Sequence, residues 1–289
     1  MSDYSSRLDG KIREHLSNII SASGLPNTGA SLESMARLWF QKKAMFEAQA
    51  RLLDMEEVDT FGRDDARGVL LLTGEPGTGK TVALRRFVDS LNVEHYLPVY
   101  LPLSTVTILD AYAQLNRALG GQEVRSKSLL FREIQNGVAQ LAAQGKMPVI
   151  LMDEADLLRS PLFDELKILL NFEMDSKDPL LLILAAQPQL LAKLALRIHL
   201  PFRQRVAMRY RMPAMDETHT RGYVEHHLKL AGRKQRLFTD EAMLQLFVQS
   251  GGVPRVIGNL ALSALYIAAN QSKDLVELDD VVAAAKELL

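Results

Sequence analysis

The chain has 289 residues, 47% of them hydrophobic and 24% charged, with a net charge of −1, which accommodates one large domain or a main domain with a smaller one. Cysteine is absent, and this excludes disulfides, thiolate metal sites and a cysteine nucleophile. No apolar run is long enough to cross a bilayer and the first residues do not form a signal peptide, so we expect a cytoplasmic protein without a membrane partner.

The first predicted elements are helices. Apolar residues recur at helical spacing at Leu8, Ile12, Leu16 and Ile19. Residues 21–31 are rich in Ser, Gly, Pro and Asn and predict a loop, after which a second helix begins with Ser31 as its N-cap. The segment near 5–20 either packs on the rest of the chain or docks on a neighbour.

An apolar run and a glycine-rich stretch come next. Residues 68–73 read GVLLLT and residues 74–81 read GEPGTGKT, followed by the helical pattern VALRRFVDSL. A glycine-rich turn between a strand and a helix bends closely around an anion and points N–H groups at phosphate oxygens. The motif therefore predicts a nucleotide site in which Lys80 reaches the β- and γ-phosphates and Thr81 places its hydroxyl on Mg²⁺.

Strands and helices then alternate. Apolar runs predict further strands at 97–104, 147–153 and 179–186, and an alternating pattern predicts one at 206–212. Between them, helical patterns cover 107–120, 126–145, 161–175 and 189–197. This alternation is typical of an α/β fold with a parallel sheet, here of five strands, covered by helices on both faces.

The strand within 147–156, MPVILMDEAD, ends in two carboxylates. Asp153 is suited to hold Mg²⁺, directly or through water, and Glu154 to orient and deprotonate an attacking water. The plainer alternative is a buried strand that ends in solvated acids. A strand-terminal acid pair in the same chain as a phosphate-binding loop favours nucleotide hydrolysis.

After Pro213 the strand patterns stop. Helices are predicted at 216–231, 240–250, 254–270 and 278–288. Thr239 and Asp279 are the expected N-caps of two of them, and the adjacent His226 and His227 are expected on the surface. A small all-helical domain therefore follows the α/β part.

The charge is unevenly distributed along the chain. Residues 192–236 hold eleven Lys and Arg against three Asp and Glu. Residues 147–191 hold three against eight, and residues 237–289 three against seven. One basic segment between acidic ones indicates a surface that faces a polyanion or a nucleotide, or else a solvated face spread around the molecule.

Taken together, the phosphate-binding loop, the acid pair and the helical C-terminal part resemble the AAA+ ATPases. The ExeA-like branch of that family, which includes secretion-associated ATPases and transposon target-selection ATPases of the MuB and TnsC kind, is similar in five segments. These are AAQPQL (185–190), FRQRVAMRYRMPAMDE (202–217), YVEHHLKLAGR (223–233), FTDEAM (238–243) and SGGVPRVIGNLALSAL (250–265). The helical patterns predict an extension at 1–60, and the resemblance, which covers about residues 65–289, implies an ATPase core at 61–212 and a helical lid at 213–289.

The family pattern also implies roles for single residues. Gln187 matches the sensor-1 position and Arg255 the sensor-2 position, while Arg205 matches the arginine finger that acts on a neighbouring subunit's nucleotide; Arg203 is the alternative finger. The residues that line the nucleotide are Glu75, Pro76, Gly77, Thr78, Gly79, Lys80, Thr81 and Val82. Gln187 alternatively ends a strand in a turn, and the arginines alternatively lie on the surface without a ligand.

A finger supplied to a neighbour requires head-to-tail packing, so the resemblance implies a homo-oligomer, either a ring or a helical filament. In DNA-binding relatives the insertion after the second strand faces the duplex. Here that region contains Arg117, Arg125, Lys127 and Arg132, whose contacts would be to phosphates and independent of sequence. The alternative is an ordinary solvated helix face.

The resemblance therefore favours an ATP- and Mg²⁺-dependent ATPase that assembles on double-stranded DNA and supports transposition with a transposase partner. Secretion-type relatives continue after the lid into a membrane segment, and this chain ends at 289, which favours the transposition role. Two alternatives remain: an ATPase of a secretion or envelope-assembly system, and a nucleotide switch whose partner is another protein.

Overall fold

The computed structural model describes residues 68–102, 107–172, 179–232 and 235–288. The helices expected within residues 1–60 lie outside these described residues. The described chain divides into two compact units, one of residues 68–216 with 251–256 and one of residues 217–250 with 257–288. The three predicted domains, 1–60, 61–212 and 213–289, stay a prediction.

The first unit contains a five-stranded sheet in the order β2-β3-β4-β1-β5, in which every neighbouring pair is parallel. Its strands are β1 (Gly68–Thr73), β2 (Tyr96–Pro102), β3 (Met147–Asp153), β4 (Leu181–Ala186) and β5 (Val206–Arg211). The predicted α/β fold with a parallel sheet of five strands is confirmed. Because all strands run the same way, the residues that follow β1, β3 and β4 meet at one edge of the sheet.

Six helices of this unit connect the strands. They are α1 (Lys80–Ser90), α2 (Ile108–Ala118), α3 (Lys127–Ala143), α4 (Ser160–Leu169), α5 (Gln189–Ala195) and α6 (Leu200–Arg203). Short 3₁₀ turns cover Ala155–Leu157 and Arg197–His199. Helix α2 begins with a capping box, in which the Thr107 hydroxyl accepts from the Asp110 N–H and the Asp110 carboxylate accepts from the Thr107 N–H.

The three central strands of the sheet, β3, β4 and β1, are buried on both faces, whereas the edge strand β5 is largely exposed. One face presents Val69, Leu71 and Ile150 to a core that includes Leu115 of α2 and Phe163 of α4. The other face presents Leu70, Leu72, Val149 and Leu151, which pack with Phe87 of α1. Burial on both faces explains why these three strands read as continuous apolar runs rather than as alternating ones.

The second unit is helical. Its helices are α7 (Glu217–Leu230), α8 (Asp240–Ser250), α9 (Pro254–Asn270) and α10 (Leu278–Leu288). Helix α9 belongs to this unit from Ile257 onward, and its first three residues belong to the first unit. The Thr239 hydroxyl accepts from the Ala242 N–H at 3.2 Å, which confirms Thr239 as an N-cap. The predicted cap Asp279 is wrong, because α10 begins at Leu278 and the Asp280 carboxylate reaches back to accept from the Glu277 N–H at 2.8 Å.

His227 is buried, so its predicted surface position is wrong. Its side chain lies one turn after Tyr223 on the apolar face of α7, and the residue is only 7% exposed. The two ring centroids are 4.4 Å apart at an interplanar angle of 74°. Burial, with a smaller contribution from His226, lowers the pKa of His227 to about 4.

This burial makes the stability of the protein depend on pH. The unfolded chain binds a proton at His227 near pH 6.5, whereas the folded chain binds it only near pH 4. The free energy of unfolding should therefore fall by up to about 3 kcal/mol as the pH drops from 6.5 to 4, and His227→Phe should lack this loss. Urea unfolding of both proteins at pH 7.5, 5.5 and 4.5 measures the difference; equal pH dependence would contradict the assignment.

Candidate nucleotide-binding site

The glycine-rich loop between β1 and α1 is bent by two glycines. Gly77 and Gly79 have φ angles of 84° and 103°, in the left-handed region that glycine adopts without strain. The loop is closed by the Thr78 hydroxyl, which donates to the Glu75 carbonyl at 2.8 Å. Helix α1 begins at Lys80 without a side-chain cap or an acidic residue in its first turn, so the positive end of its dipole is open to an anion.

The Lys80 side chain folds back on the glycine-rich loop and donates hydrogen bonds to it. Its Nζ donates to the Gly74 carbonyl at 2.7 Å and to the Glu75 carbonyl at 3.0 Å. Burial lowers the pKa of Lys80, and the negative charges of Asp153, Asp156 and Glu75 oppose that shift. An incoming phosphate therefore has to replace these two carbonyls as the acceptor for the amine.

The two predicted magnesium ligands are adjacent. The Thr81 hydroxyl donates to Asp153 Oδ2 at 2.5 Å, and the carboxylate of Asp153 is buried at the end of β3. Hydroxyl and carboxylate oxygens are ligands that Mg²⁺ prefers in proteins, so the pair fits that ion.

Glu154 follows directly in a left-handed conformation, with a φ of 54°. Its N–H donates to Asp153 Oδ1 at 2.9 Å, and its residue is exposed. The tight turn separates the two acids, since the first carboxylate is buried beside Thr81 and the second remains open to solvent. This exposure gives Glu154 access to the water that a hydrolytic reaction needs.

Gln187 lies at the same edge of the sheet, just after β4. The Gly74 N–H donates to the Ala186 carbonyl at 3.2 Å, which brings the end of β4 beside the start of the glycine-rich loop. The Gln187 N–H donates to Asp156 Oδ1 at 2.9 Å, and Gln187 Oε1 accepts from Gln189 Nε2 at 2.9 Å. The predicted sensor position is thus next to the loop and held by two partners.

Arg255 is placed beside the loop by its backbone. The segment 251–256 belongs to the first unit, and the Arg255 N–H donates to the Gly77 carbonyl at 3.3 Å. A Cβ at position 77 would lie 2.8 Å from the Arg255 Cβ, so this approach requires glycine. The Arg255 charge also disfavours the protonated form of Lys80.

Substitutions at two neighbouring glycines can test what holds segment 251–256 in place. Gly252 has a φ of 72°, and a Cβ there would lie 1.9 Å from the Met215 carbonyl oxygen, whereas Gly251 has a φ of 57° and no atom within 4 Å. Gly252→Ala should displace segment 251–256 and weaken ATP binding by at least about tenfold, while Gly251→Ala carries only the backbone strain and should change it less than about threefold. Titration with a fluorescent ATP analogue compares the two; equal affinities would contradict a role for this segment.

Arg205 is far from the glycine-rich loop of its own chain, which is called the nucleotide loop below. Its carbonyl accepts from the Val69 N–H at 3.1 Å, at the amino end of β1, while the loop follows the carboxyl end of that strand. About 16 Å of strand separates the two positions. The guanidinium donates to the Leu170 carbonyl at 3.5 Å, and Arg203 precedes it at the end of α6. The structure therefore does not bring either arginine together with the other site residues.

The four basic residues after β2 lie between the end of α2 and the first half of α3. Arg117 pairs with Glu123 at 3.1 Å, and Lys127 pairs with Glu165 at 2.5 Å. Arg125 and Arg132 are exposed, and neither forms an ion pair with another described residue.

Sequence reasoning missed two residues near the carboxylates. Asp156 is the last residue of the sequence DEAD at 153–156. Its position two residues after Glu154 was the only indication in the sequence that it lies near the site. Tyr100 lies on β2, and burial together with the charges of Asp153 and Glu154 raises the pKa of its phenol.

Comparison with known proteins agrees with this geometry. Residues 63–194 match the family model of the AAA domain. The chain carries an AAA domain over these residues. A curated relative, General secretion pathway protein A of Aeromonas hydrophila, is 32% identical over 230 residues, which are 79% of this chain and 42% of the relative. The chain therefore spans less than half the length of that relative.

Solved structures share the fold of this AAA domain and its helical neighbour. Drosophila ORC bound to DNA matches with a TM-score of 0.63 and 20% identity over 91% of this chain and 68% of that one. Cdc6p from Pyrobaculum aerophilum matches with a TM-score of 0.59 and 17% identity over 84% and 67%. The AAA+ part of the resemblance is confirmed; the closer likeness to transposon ATPases stays a prediction.

Within the residues that the structure describes, none of the helices combines the length and the apolarity that crossing a membrane requires.

Proposed function

We propose that this protein is an ATPase that binds ATP with Mg²⁺, assembles as a homo-oligomer on double-stranded DNA without sequence specificity, and supports DNA transposition. The observation that supports hydrolysis is the meeting of the glycine-rich loop, the Thr81–Asp153 pair and Glu154 at one edge of the sheet. Each supplies a different need of phosphoryl transfer: an anion cradle, metal ligands and a base.

In the proposed reaction, Lys80 leaves the loop carbonyls for the β- and γ-phosphates. Thr81 and Asp153 would hold Mg²⁺, which would neutralise charge on the phosphate oxygens. Glu154 takes a proton from the attacking water, and Gln187 contacts the γ-phosphate. Arg255, beside Gly77, reaches the phosphates and connects the start of α9 to the nucleotide state.

The position of Arg205 supports assembly. Because it lies at the amino end of β1, about 16 Å from its own loop, its proposed target is the nucleotide of a neighbouring subunit.

DNA binding is supported by the exposed Arg125 and Arg132 and by the fold. Among proteins with this fold, ORC of Drosophila is bound to DNA in its structure and ORC1 of Aeropyrum pernix is in complex with DNA; the latter matches with a TM-score of 0.55 and 18% identity over 86% of this chain and 65% of that one. The transposition role and the transposase partner are further parts of this proposal, and they rest on the family resemblance.

The second candidate is a secretion or envelope-assembly ATPase. The observation that favours it is the 32% identity to General secretion pathway protein A. Under this alternative the nucleotide chemistry is the same, and the partner is a protein rather than DNA.

Binding to a random-sequence duplex separates the candidates. Fluorescence anisotropy can be measured at two salt concentrations with ATP, with ADP and without nucleotide, using Glu154→Gln in the ATP sample to block turnover. We expect tight and salt-sensitive binding only with ATP.

The double variant Arg125→Ala with Arg132→Ala should weaken binding to all DNA sequences. It should also lower the slope of affinity against salt concentration by about one for each lost phosphate contact. Lys286→Ala, which removes an exposed basic side chain of α10 away from the predicted DNA contacts, is the control. No binding in any state at low salt would favour the secretion candidate.

A further inference from the structure

Gln187 is held from two directions. Its backbone N–H donates to Asp156 Oδ1 at 2.9 Å, and its side-chain Oε1 accepts from Gln189 Nε2 at 2.9 Å. Asp156 lies in the 3₁₀ turn after the two predicted acids, and Gln189 begins α5. One partner fixes the backbone of Gln187 and the other fixes the direction of its amide.

The direction of the amide decides what Gln187 can do. A glutamine amide has one end that accepts hydrogen bonds and one that donates them, whereas phosphate oxygens only accept. Gln187 can therefore stabilise a γ-phosphate only through Nε2. Since Gln189 engages Oε1, it leaves the donating end for the ligand.

We infer that Asp156 and Gln189 are positioning residues, which clamp Gln187 so that its side-chain NH₂ group faces the γ-phosphate. This inference rests on the proposed ATP hydrolysis. Neither residue touches the substrate in this role, because both act through Gln187.

The two turns that hold Gln187 are themselves fixed by hydrogen bonds to α5. Lys193 of α5 donates from Nζ to the Asp156 carbonyl at 2.9 Å and to the Leu158 carbonyl at 2.7 Å. The Leu190 N–H also donates to the Gln187 carbonyl at 3.1 Å. The turn after β3 and the turn after β4 are therefore tied to each other through α5, and Gln187 lies between them.

Asp156 also has an electrostatic effect, since burial lowers the pKa of Lys80 and the charge of Asp156 opposes that shift. Substitution can separate this effect from the hydrogen bond. Asp156→Asn keeps an oxygen that accepts from the Gln187 N–H but removes the charge, whereas Asp156→Ala removes both. If positioning dominates, the asparagine variant should stay close to the wild type.

Steady-state ATP hydrolysis by the full chain tests the clamp. We expect Asp156→Ala to lower kcat about tenfold with KM changed less than about twofold, and Asp156→Asn to lower kcat less than about threefold. The double variant Asp156→Ala with Gln187→Ala should be no slower than Gln187→Ala alone, because the two residues act as one unit. Asp164→Ala, an acid of α4 with a 60% exposed side chain, is the matched control.

Gln189→Leu tests the second contact. Without its Nε2 donor the Gln187 amide can turn its oxygen toward the phosphate, so kcat should fall about threefold to tenfold. This loss should disappear when Gln187 is already alanine. A loss of the same size in both backgrounds would overturn the role of Gln189.

Hydrogen exchange of the nucleotide-free protein gives a readout that does not depend on activity. The Gln187 amide should exchange faster in Asp156→Ala than in the wild type and in Asp156→Asn. Unchanged exchange in Asp156→Ala, or fully additive losses of kcat in the double variant, would overturn the clamp. A wild-type protein without ATP turnover would instead overturn the proposed function, and the exchange result would still decide whether Asp156 holds Gln187.

Discussion

Glu154→Gln is expected to bind ATP with wild-type affinity and to hydrolyse it at least about a hundredfold more slowly. The substitution keeps the size of the side chain but removes the group that accepts the proton of the attacking water. The proposed magnesium ligands should be unaffected, because Asp153 is hydrogen-bonded to the backbone N–H of residue 154 and to the Thr81 hydroxyl, not to the side chain of residue 154. The ATP-bound assembly should therefore accumulate.

Two measurements check this expectation. Titration with a fluorescent ATP analogue reports affinity, and single-turnover hydrolysis reports the chemical step apart from product release. Glu133→Gln, the same substitution on α3 away from the carboxylates, is the control. Turnover of Glu154→Gln at the wild-type rate would remove Glu154 from the role of base.

Arg205→Ala should abolish hydrolysis by the assembled protein, by about a thousandfold or more, and leave the nucleotide affinity of isolated monomers nearly unchanged. The reason is geometric. The residue lies at the amino end of β1, whereas the nucleotide loop follows the carboxyl end, so its guanidinium is expected to serve a neighbouring subunit. A planar guanidinium fits this task, since it spreads positive charge across the transferring phosphoryl oxygens.

Mixing two inactive variants tests that division of labour. Arg205→Ala subunits keep Glu154, and Glu154→Gln subunits keep Arg205, so an interface between the two kinds has one complete site and activity should return. Arg203→Ala is the comparison, because it removes the alternative finger two residues away. A large loss of affinity in isolated Arg205→Ala monomers would place that arginine in its own chain's site and contradict the proposal.

Local patterns were sufficient to predict much of this molecule. Four apolar runs and one alternating segment, separated by helical patterns, predicted five strands with helical crossovers, and such connections make a sheet parallel. Residues 74–81 carry their chemistry within one loop, so the sequence alone placed Lys80 and Thr81 together. Burial of His227 was also within reach of pattern analysis, because Tyr223 lies four residues before it on the same helix face.

Contacts between distant parts of the chain were not predictable in the same way. The hydrogen bond between Asp156 and Gln187 joins residues 31 positions apart, and it depends on the register of β3 against β4. The approach of Gly252 to Met215 likewise depends on tertiary packing. For Arg205, the sequence indicated a guanidinium but not the end of the sheet at which it lies, because that requires the pairing of β5 with β1.

The separation of Arg205 from its own nucleotide loop along β1 gives any head-to-tail assembly a direction. If the assembly is an open filament, one terminal subunit has a bound nucleotide that no arginine reaches, and the opposite terminal subunit has an arginine without a nucleotide to act on. The two tips then differ chemically, although every subunit is identical. Hydrolysis would be confined to interior contacts, and subunits would add to and leave the two tips at different rates.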